Sequence, residues 1–265
     1  MLRAAFRAVH PFPSIVVALL TVALIPLADR DAPLRLYPLL GGAMLLFQFT
    51  IGLVNDLVDL EEDRRTKPWK PLARGAITVR HVQWLAVGCG VLGLTLTAAL
   101  PLAAVVIAIC GLSTGLAYDL WLKETPLSWL PYSLALPLLP IWVYVATGEW
   151  RPLLWWAFPL GAALGLALHL SNEAPDVGRA GVKGLPGRLG PAWSRRLALT
   201  MFIGVALTVV LVVLPSSGAL ALVVVSVALA TATAAPWSSH LGRDGHFGLL
   251  AVGAAAITVL FFLGA

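Results

Sequence analysis

Uncharged, mostly apolar runs of about twenty residues recur from one end of this 265-residue chain to the other. As a helix, a run of that length crosses a hydrocarbon layer ~30 Å thick. The runs fall at 12–29, 36–55, 80–98, 101–118, 127–146, 152–171, 197–214, 217–235 and 245–264. Charged residues make up 12% of the chain and its mean hydropathy is +0.89, against roughly 25% charged in an average soluble domain. A water-soluble globule is excluded. Backbone polar groups in lipid must be satisfied within the structure, which leaves a helical bundle or a closed barrel, and the runs lack the alternating pattern of barrel strands. The expected fold is therefore all-α: a polytopic membrane protein of about nine transmembrane helices, forming one domain over 1–265 with no room for a soluble one. Arg3 and Arg7 precede the first run, as in a signal peptide, but the run is long and no small-residue cleavage site follows it. It reads as a retained helix.

Basic residues divide unequally between the two sets of connections. Of the 18 Lys and Arg, only Arg30, Arg35 and Arg151 fall on one side; the other 15, Arg243 among them, fall on the side of the N-terminus. The positive-inside rule then places the N-terminus and the long polar loops in the cytoplasm, and a bacterial cytoplasmic membrane is the expected location. The pI of about 9.6 suggests nucleic acid, but insertion topology already explains a one-sided excess of cations, so no nucleic-acid partner is expected. Trp69, Trp121, Trp129, Trp193 and Trp237 near one face, with Trp150, Trp155 and Trp156 near the other, fit interfacial belts in contact with membrane lipid. Cys89 and Cys110 both lie in expected spans and read as packing residues.

One segment breaks the apolar monotony. "NDLVDLEEDRRTKPWKPLARG", residues 55–75, places Asp56, Asp59, Glu61, Glu62 and Asp63 directly after the second span, followed by Arg64, Arg65, Lys67, Lys70 and Arg74. If the helix continues past Asn55, then Asp56, Asp59 and Asp63 share one face and Glu61 and Glu62 point elsewhere. Three carboxylates on one face repel unless a polyvalent cation gathers them. Mg²⁺ suits such a set, because it takes oxygen ligands from one or two carboxylates together with substrate phosphate oxygens. The cations that follow would neutralise that phosphate. A second loop, opening "NEAPD" at Asn172, echoes the Asn and Asp spacing of "NDLVD". Phe47, Gln48 and above all His169, an imidazole within a span, are candidate cavity-lining residues.

"NDLVDLEED" matches the Asn-Asp-x-x-Asp-x-x-x-Asp signature of the UbiA superfamily of intramembrane prenyltransferases, and "KPLARGAIT" resembles the segment that follows it there. "YDLWLK" resembles the family's Tyr-x-x-x-x-Lys element, and "AGVKGLPGRLG" the tail of its second aspartate-rich motif. The resemblance implies a bundle around a central cavity open to the cytoplasm, where two Mg²⁺ ions join the two motifs to the diphosphate of an isoprenoid donor. Carried onto this chain, it makes Asn55, Asp56, Asp59 and Asp63 the first motif. Lys67, Lys70 and Arg74 would lie near phosphate, approached also by Tyr118 and Lys123. The second motif departs from the family pattern: "SNEAPDVGRAGVK" is short and keeps only Glu173 and Asp176 as carboxylates, with Pro175 between them. On a helix Asn172 and Asp176 share a face, from which Glu173 is offset, so these two are the expected metal ligands, with Glu173 in reserve and Lys183 and Arg188 as diphosphate contacts.

The expected activity is Mg²⁺-dependent transfer of an isoprenoid chain from a prenyl diphosphate donor to an aromatic or other lipophilic acceptor. Metal and cations stabilise the leaving diphosphate, and apolar helices keep water from the allylic cation. An intramembrane terpene cyclase of the same superfamily is the alternative. A transporter is disfavoured, since the ionisable groups cluster at one face whereas a translocation path needs them through its depth.

Overall fold

The computed structural model describes residues 8–178, 183–241 and 245–264, and every regular element among them is helical. Arg3, Arg7, Arg179 and Arg243, counted above among the cytoplasmic cations, lie outside the described residues. Helices α1 (Pro11–Ala28), α2 (Leu36–Val58), the short α3 (Leu60–Thr66), α4 (Val79–Thr97) and α5 (Leu102–Ala117) come first, and a π-helical turn, Tyr118–Leu122, extends α5. Then follow α6 (Leu130–Thr147), a 3₁₀ turn (Pro152–Trp156) running into α7 (Ala157–Glu173), the short α8 (Leu185–Leu189), α9 (Pro191–Val213), α10 (Gly218–Ala234) with a 3₁₀ extension (Ala235–Leu241), and α11 (Gly245–Gly264). Among the described residues, nine helical stretches are long and apolar enough to cross a membrane.

Most expected spans agree with the helices to within three residues. The exception is α9, which begins at Pro191, six residues before the expected 197. Pro191 occupies the first helical position, where its missing N–H leaves no bond unmade, and Arg195 and Arg196 then ride on the first turns of the helix.

The chain forms two compact units, residues 1–123 with 142–149, and 124–141 with 150–265. In the first, α2 packs along α1 and α4. Phe47 is buried there against Gly93, where an added Cβ would come within 2.7 Å of its ring. It packs between α2 and α4. Ala8, Val9, Leu53, Leu72, Ile77, Val82 and Ala86 make a buried cluster, so the residues before α1 and the loop after α3 both fold onto the end of α2. In the second unit α7 lies against α9 and against the N-terminal half of α6. Gly161 and Gly165 let backbones touch: a Cβ on Gly161 would sit 2.9 Å from the Pro137 backbone nitrogen, and one on Gly165 would strike the Tyr132 carbonyl. Ser133 Oγ donates to the Ala162 carbonyl at 2.9 Å across the same contact. Small residues and interhelical hydrogen bonds of this kind hold helices together where lipid removes the hydrophobic incentive. Cys89 is half-buried, but Cys110 is exposed on α5 and is not a packing residue.

Candidate active site

The first acidic motif straddles a joint between helices. α2 ends at Val58, Asp59 adopts φ −85° and ψ 1°, and α3 starts at Leu60. The hydrogen-bond ladder runs through the joint, with Asp59 N–H bonded to the Asn55 carbonyl at 2.9 Å and Asp63 N–H to that of Asp59 at 2.7 Å. The carboxylates therefore keep nearly the spacing a continuous helix would give, although Asp59, 25% exposed, is less buried than the other two. Asp56 and Asp63 are each only 2% exposed.

Cations from elsewhere in the chain converge on them. Lys70 Nζ bridges Asp56 Oδ1 at 2.8 Å and Asp63 Oδ2 at 2.6 Å, and Lys67 stands 3.9 Å from Asp63. His10 Nε2 lies 2.9 Å from the same Asp56 oxygen. Lys123, at the end of the π-helical turn, pairs with Asp59. The loop that aims Lys70 is a run of tight turns, in which Lys70 N–H bonds to the Lys67 carbonyl and Arg74 N–H to that of Lys70. Buried Leu72 and Ile77 anchor this loop, and Gly75, at φ +73°, reverses the chain between them. The "KPLARGAIT" segment thus has a structural task, returning one ammonium group over the acidic helix end.

Burial alone would lower the Lys70 ammonium, but the charge of Asp56 and hydrogen bonds to both carboxylates outweigh it and hold Lys70 above its ordinary value. For Asp63 burial is the largest influence, and it prevails over the Lys70 hydrogen bond to push the carboxyl up.

Three of the expected cations stand away from this cluster. Arg64 and Arg65 are exposed and pair with Glu61 at 2.7 Å and Glu62 at 2.9 Å, one helical turn back. Their charge is directed outward, where a role at phosphate was expected. Arg74 is exposed at the surface of the turn. Tyr118 is buried at the first position of the π-helical turn, where its carbonyl accepts from Lys123 N–H at 3.0 Å.

Two residues at the first motif were not anticipated. His10 precedes α1 in a left-handed conformation, φ 48° and ψ 62°, and packs on Gly52, where an added Cβ would come within 3.0 Å of the imidazole. Asp119, 2% exposed, accepts a hydrogen bond from Asn55 Nδ2 at 2.9 Å. The available signal was an acidic residue at the end of an apolar span, which is costly unless it has a partner or a task.

The second polar segment is built differently. α7 ends at Glu173, and residues 174–178 form turns, so Asp176 does not continue the helix on which it was expected to share a face with Asn172. Pro175 lacks the N–H that a further helical turn would use. Asn172 Nδ2 donates to Glu173 Oε1 at 3.1 Å, and all three polar side chains are half-buried. Lys183 is exposed and pairs with Glu124 at 2.8 Å; Arg188 is exposed on α8. Ala180–Val182 of the "AGVK" stretch lie outside the described residues. His169 is buried, its Nε2 3.0 Å from Ser128 Oγ and its ring 5.2 Å from that of Tyr132. Ser128 Oγ also accepts from Leu185 N–H at 3.1 Å, tying the start of α8 to α7 through one hydroxyl.

Among the described residues no three His, Cys, Asp or Glu side chains stand close enough to chelate a metal together. The first motif nonetheless fits a hard cation. Its donors are all oxygen, two buried carboxylates already converge on one positive charge, and Asp56 Oδ2 is buried without a hydrogen-bond partner. A hard divalent ion asks for such a pair, completing its shell with water and phosphate oxygens.

Among curated protein sequences none matches the chain. Several solved structures share its fold. A UbiA homologue from Archaeoglobus fulgidus bound to GPP and Mg²⁺ superposes with a TM-score of 0.73 at 18% identity, covering 97% of this chain and 99% of that one. The apo structure of a UbiA homologue from Aeropyrum pernix K1 gives 0.75 at 19% identity, covering 94% and 97%. A digeranylgeranylglyceryl phosphate synthase gives 0.68 at 16% identity, covering 99% and 98%. The profile of the UbiA prenyltransferase family matches residues 14–249, nearly the whole chain, and the polytopic helical protein described above belongs to that family.

Proposed function

We propose that this protein is a Mg²⁺-dependent intramembrane prenyltransferase. It takes an allylic prenyl diphosphate as donor, passes the isoprenoid chain to an aromatic or other lipophilic acceptor, and releases diphosphate. The observation that carries this reading is the gathering of Asp56, Asp59 and Asp63 by lysines from two other segments of the chain. Family membership and the A. fulgidus relative bound to GPP and Mg²⁺ support it.

Asp56, Asp59 and Asp63 would hold Mg²⁺, which when bound supplies positive charge to the departing diphosphate. Lys70, Lys67 and Lys123 hold ammonium groups beside the same carboxylates, where they stabilise negative charge as it develops on the leaving group. Arg74 stands at the rim as a further diphosphate contact. Tyr118, buried at the head of the turn that ends in Lys123, helps to position that lysine. On the family pattern, Asn172 and Asp176 are further metal ligands, Lys183 and Arg188 contact diphosphate, and His169 lines the substrate site. The 15-to-3 distribution of basic residues supports a cytoplasmic membrane location with the N-terminus and reacting groups facing the cytoplasm.

Purified protein in detergent, supplied with prenyl diphosphates of increasing length, is expected to release diphosphate only when Mg²⁺ is present. Asp59→Ala and Asp63→Ala are expected to abolish release, and full turnover by either would overturn the assignment. Mass spectrometry with and without an aromatic acceptor distinguishes the outcomes: a coupled product supports transfer, whereas a cyclic hydrocarbon or alcohol formed without acceptor marks a cyclase.

A further inference from the structure

We propose that Asp119 is a positioning residue that fixes which way round the Asn55 side-chain amide faces at the metal and diphosphate site. The proposal rests on the prenyltransferase reading above and adds to it a residue outside the aspartate signature. Asp119 lies in the π-helical turn Tyr118–Leu122, a local widening of the helix of the kind found at functional positions. The same turn delivers both of its inward charges to the first motif: Asp119 to Asn55 and Lys123, four residues on, to Asp59. Leu120 and Trp121, between them, are exposed outward.

Of the two ends of the Asn55 amide, the NH₂ is the one that meets Asp119, whose Oδ1 accepts from it. The 2.9 Å bond from Asn55 Nδ2 to Asp119 Oδ1 therefore leaves the amide carbonyl oxygen as the atom Asn55 offers to a cation. With the amide reversed, an N–H dipole would oppose the same charge. Asp119 is 2% exposed, and its Oδ2 is buried without a hydrogen-bond partner. Fold stability alone does not account for such a group, because an apolar residue would fill the place without the desolvation penalty. Hydrogen-bonded partners behind metal ligands fix the ligands' orientation, and loss of such a partner typically weakens metal affinity about 10- to 100-fold.

The test compares wild type with Asp119→Ala, Asp119→Asn, Asn55→Ala and the Asp119→Ala/Asn55→Ala double variant in detergent. Two quantities are read: the Mg²⁺ concentration that half-saturates thermal stabilisation in the presence of inorganic diphosphate, and the Mg²⁺ dependence of kcat and KM with geranyl diphosphate. Asp119→Ala is expected to raise the half-saturating Mg²⁺ concentration about 10-fold or more, with the loss in turnover largely recovered at high Mg²⁺. Asp119→Asn, which keeps the shape of the side chain but accepts the amide either way round, is expected to fall between Ala and wild type. In the Asn55→Ala background the Asp119→Ala change is expected to add less than about 2-fold, since its effect runs through Asn55. Unchanged Mg²⁺ dependence in both Asp119 variants, or a full effect of Asp119→Ala on top of Asn55→Ala, overturns the proposal. Should Asp119→Ala fail to fold, Asp119→Asn alone decides by the same Mg²⁺ readout. If wild type itself shows no stabilisation by Mg²⁺ with diphosphate, the metal and diphosphate reading of the site falls first, and the role of Asp119 falls with it.

Discussion

The segment from Asn55 to Gly75 and the one opening at Asn172 share a spacing of Asn and Asp but hold their charges in different ways. In the first, Asp56 and Asp63 are buried, and an ammonium group from a turn 14 residues beyond Asp56 is folded back between them. In the second, the helix stops at Glu173, the polar side chains are half-buried, and the nearby ion pair between Lys183 and Glu124 is about two-thirds exposed on each side. Burying ions requires partners in fixed places, whereas exposed ions are served by water. The first segment is thus organised before any ligand arrives, and the second carries its polar groups on a helix end and turns.

This contrast orders the expected effects of mutation. Asp56→Ala, like Asp59→Ala and Asp63→Ala in the same segment, should be among the most damaging changes, lowering diphosphate release by about 100-fold or more, the scale on which a dedicated electrostatic contact acts; turnover within a factor of about two of wild type would erase the contrast. Lys70→Met should come next, because it leaves two buried carboxylates without their shared cation. A loss of roughly 3–5 kcal/mol is expected on breaking a buried pair, read as thermal unfolding in detergent, and Mg²⁺ should restore part of it. Asp176→Ala should reduce turnover about 10-fold, less than Asp56→Ala, since its side chain is half-buried in a turn; an equal loss would show that the two segments matter equally to the reaction. Smallest of all, Lys183→Ala should change stability by less than about 1 kcal/mol, as for other exposed pairs, measured by the same melting experiment.

Hydropathy dominates the free energy of a chain in lipid, and for that reason the spans were readable to within a few residues. Pro191 was the signal for the one early start, outweighed by the charges of Arg195 and Arg196. The carboxylates of the first motif were legible too, because their spacing follows helix geometry. Their partners were legible only in part. Arg64 and Arg65, expected at phosphate, turn instead to Glu61 and Glu62 at the i, i+3 spacing that the sequence already offered. Lys123 lies 64 residues from Asp59 and could be connected to it only through the likeness to a family. Nothing in local periodicity relates His10 to Asp56 or Asp119 to Asn55, since these contacts depend on how whole helices pack. The joint at Asp59 and the π-helical turn are likewise tertiary choices.

The lysine between Asp56 and Asp63 means that the protein carries its own counterion before any metal binds. A newly inserted chain can reach its final shape without waiting for a metal supply, and a chelator added to the finished protein should silence it without melting it.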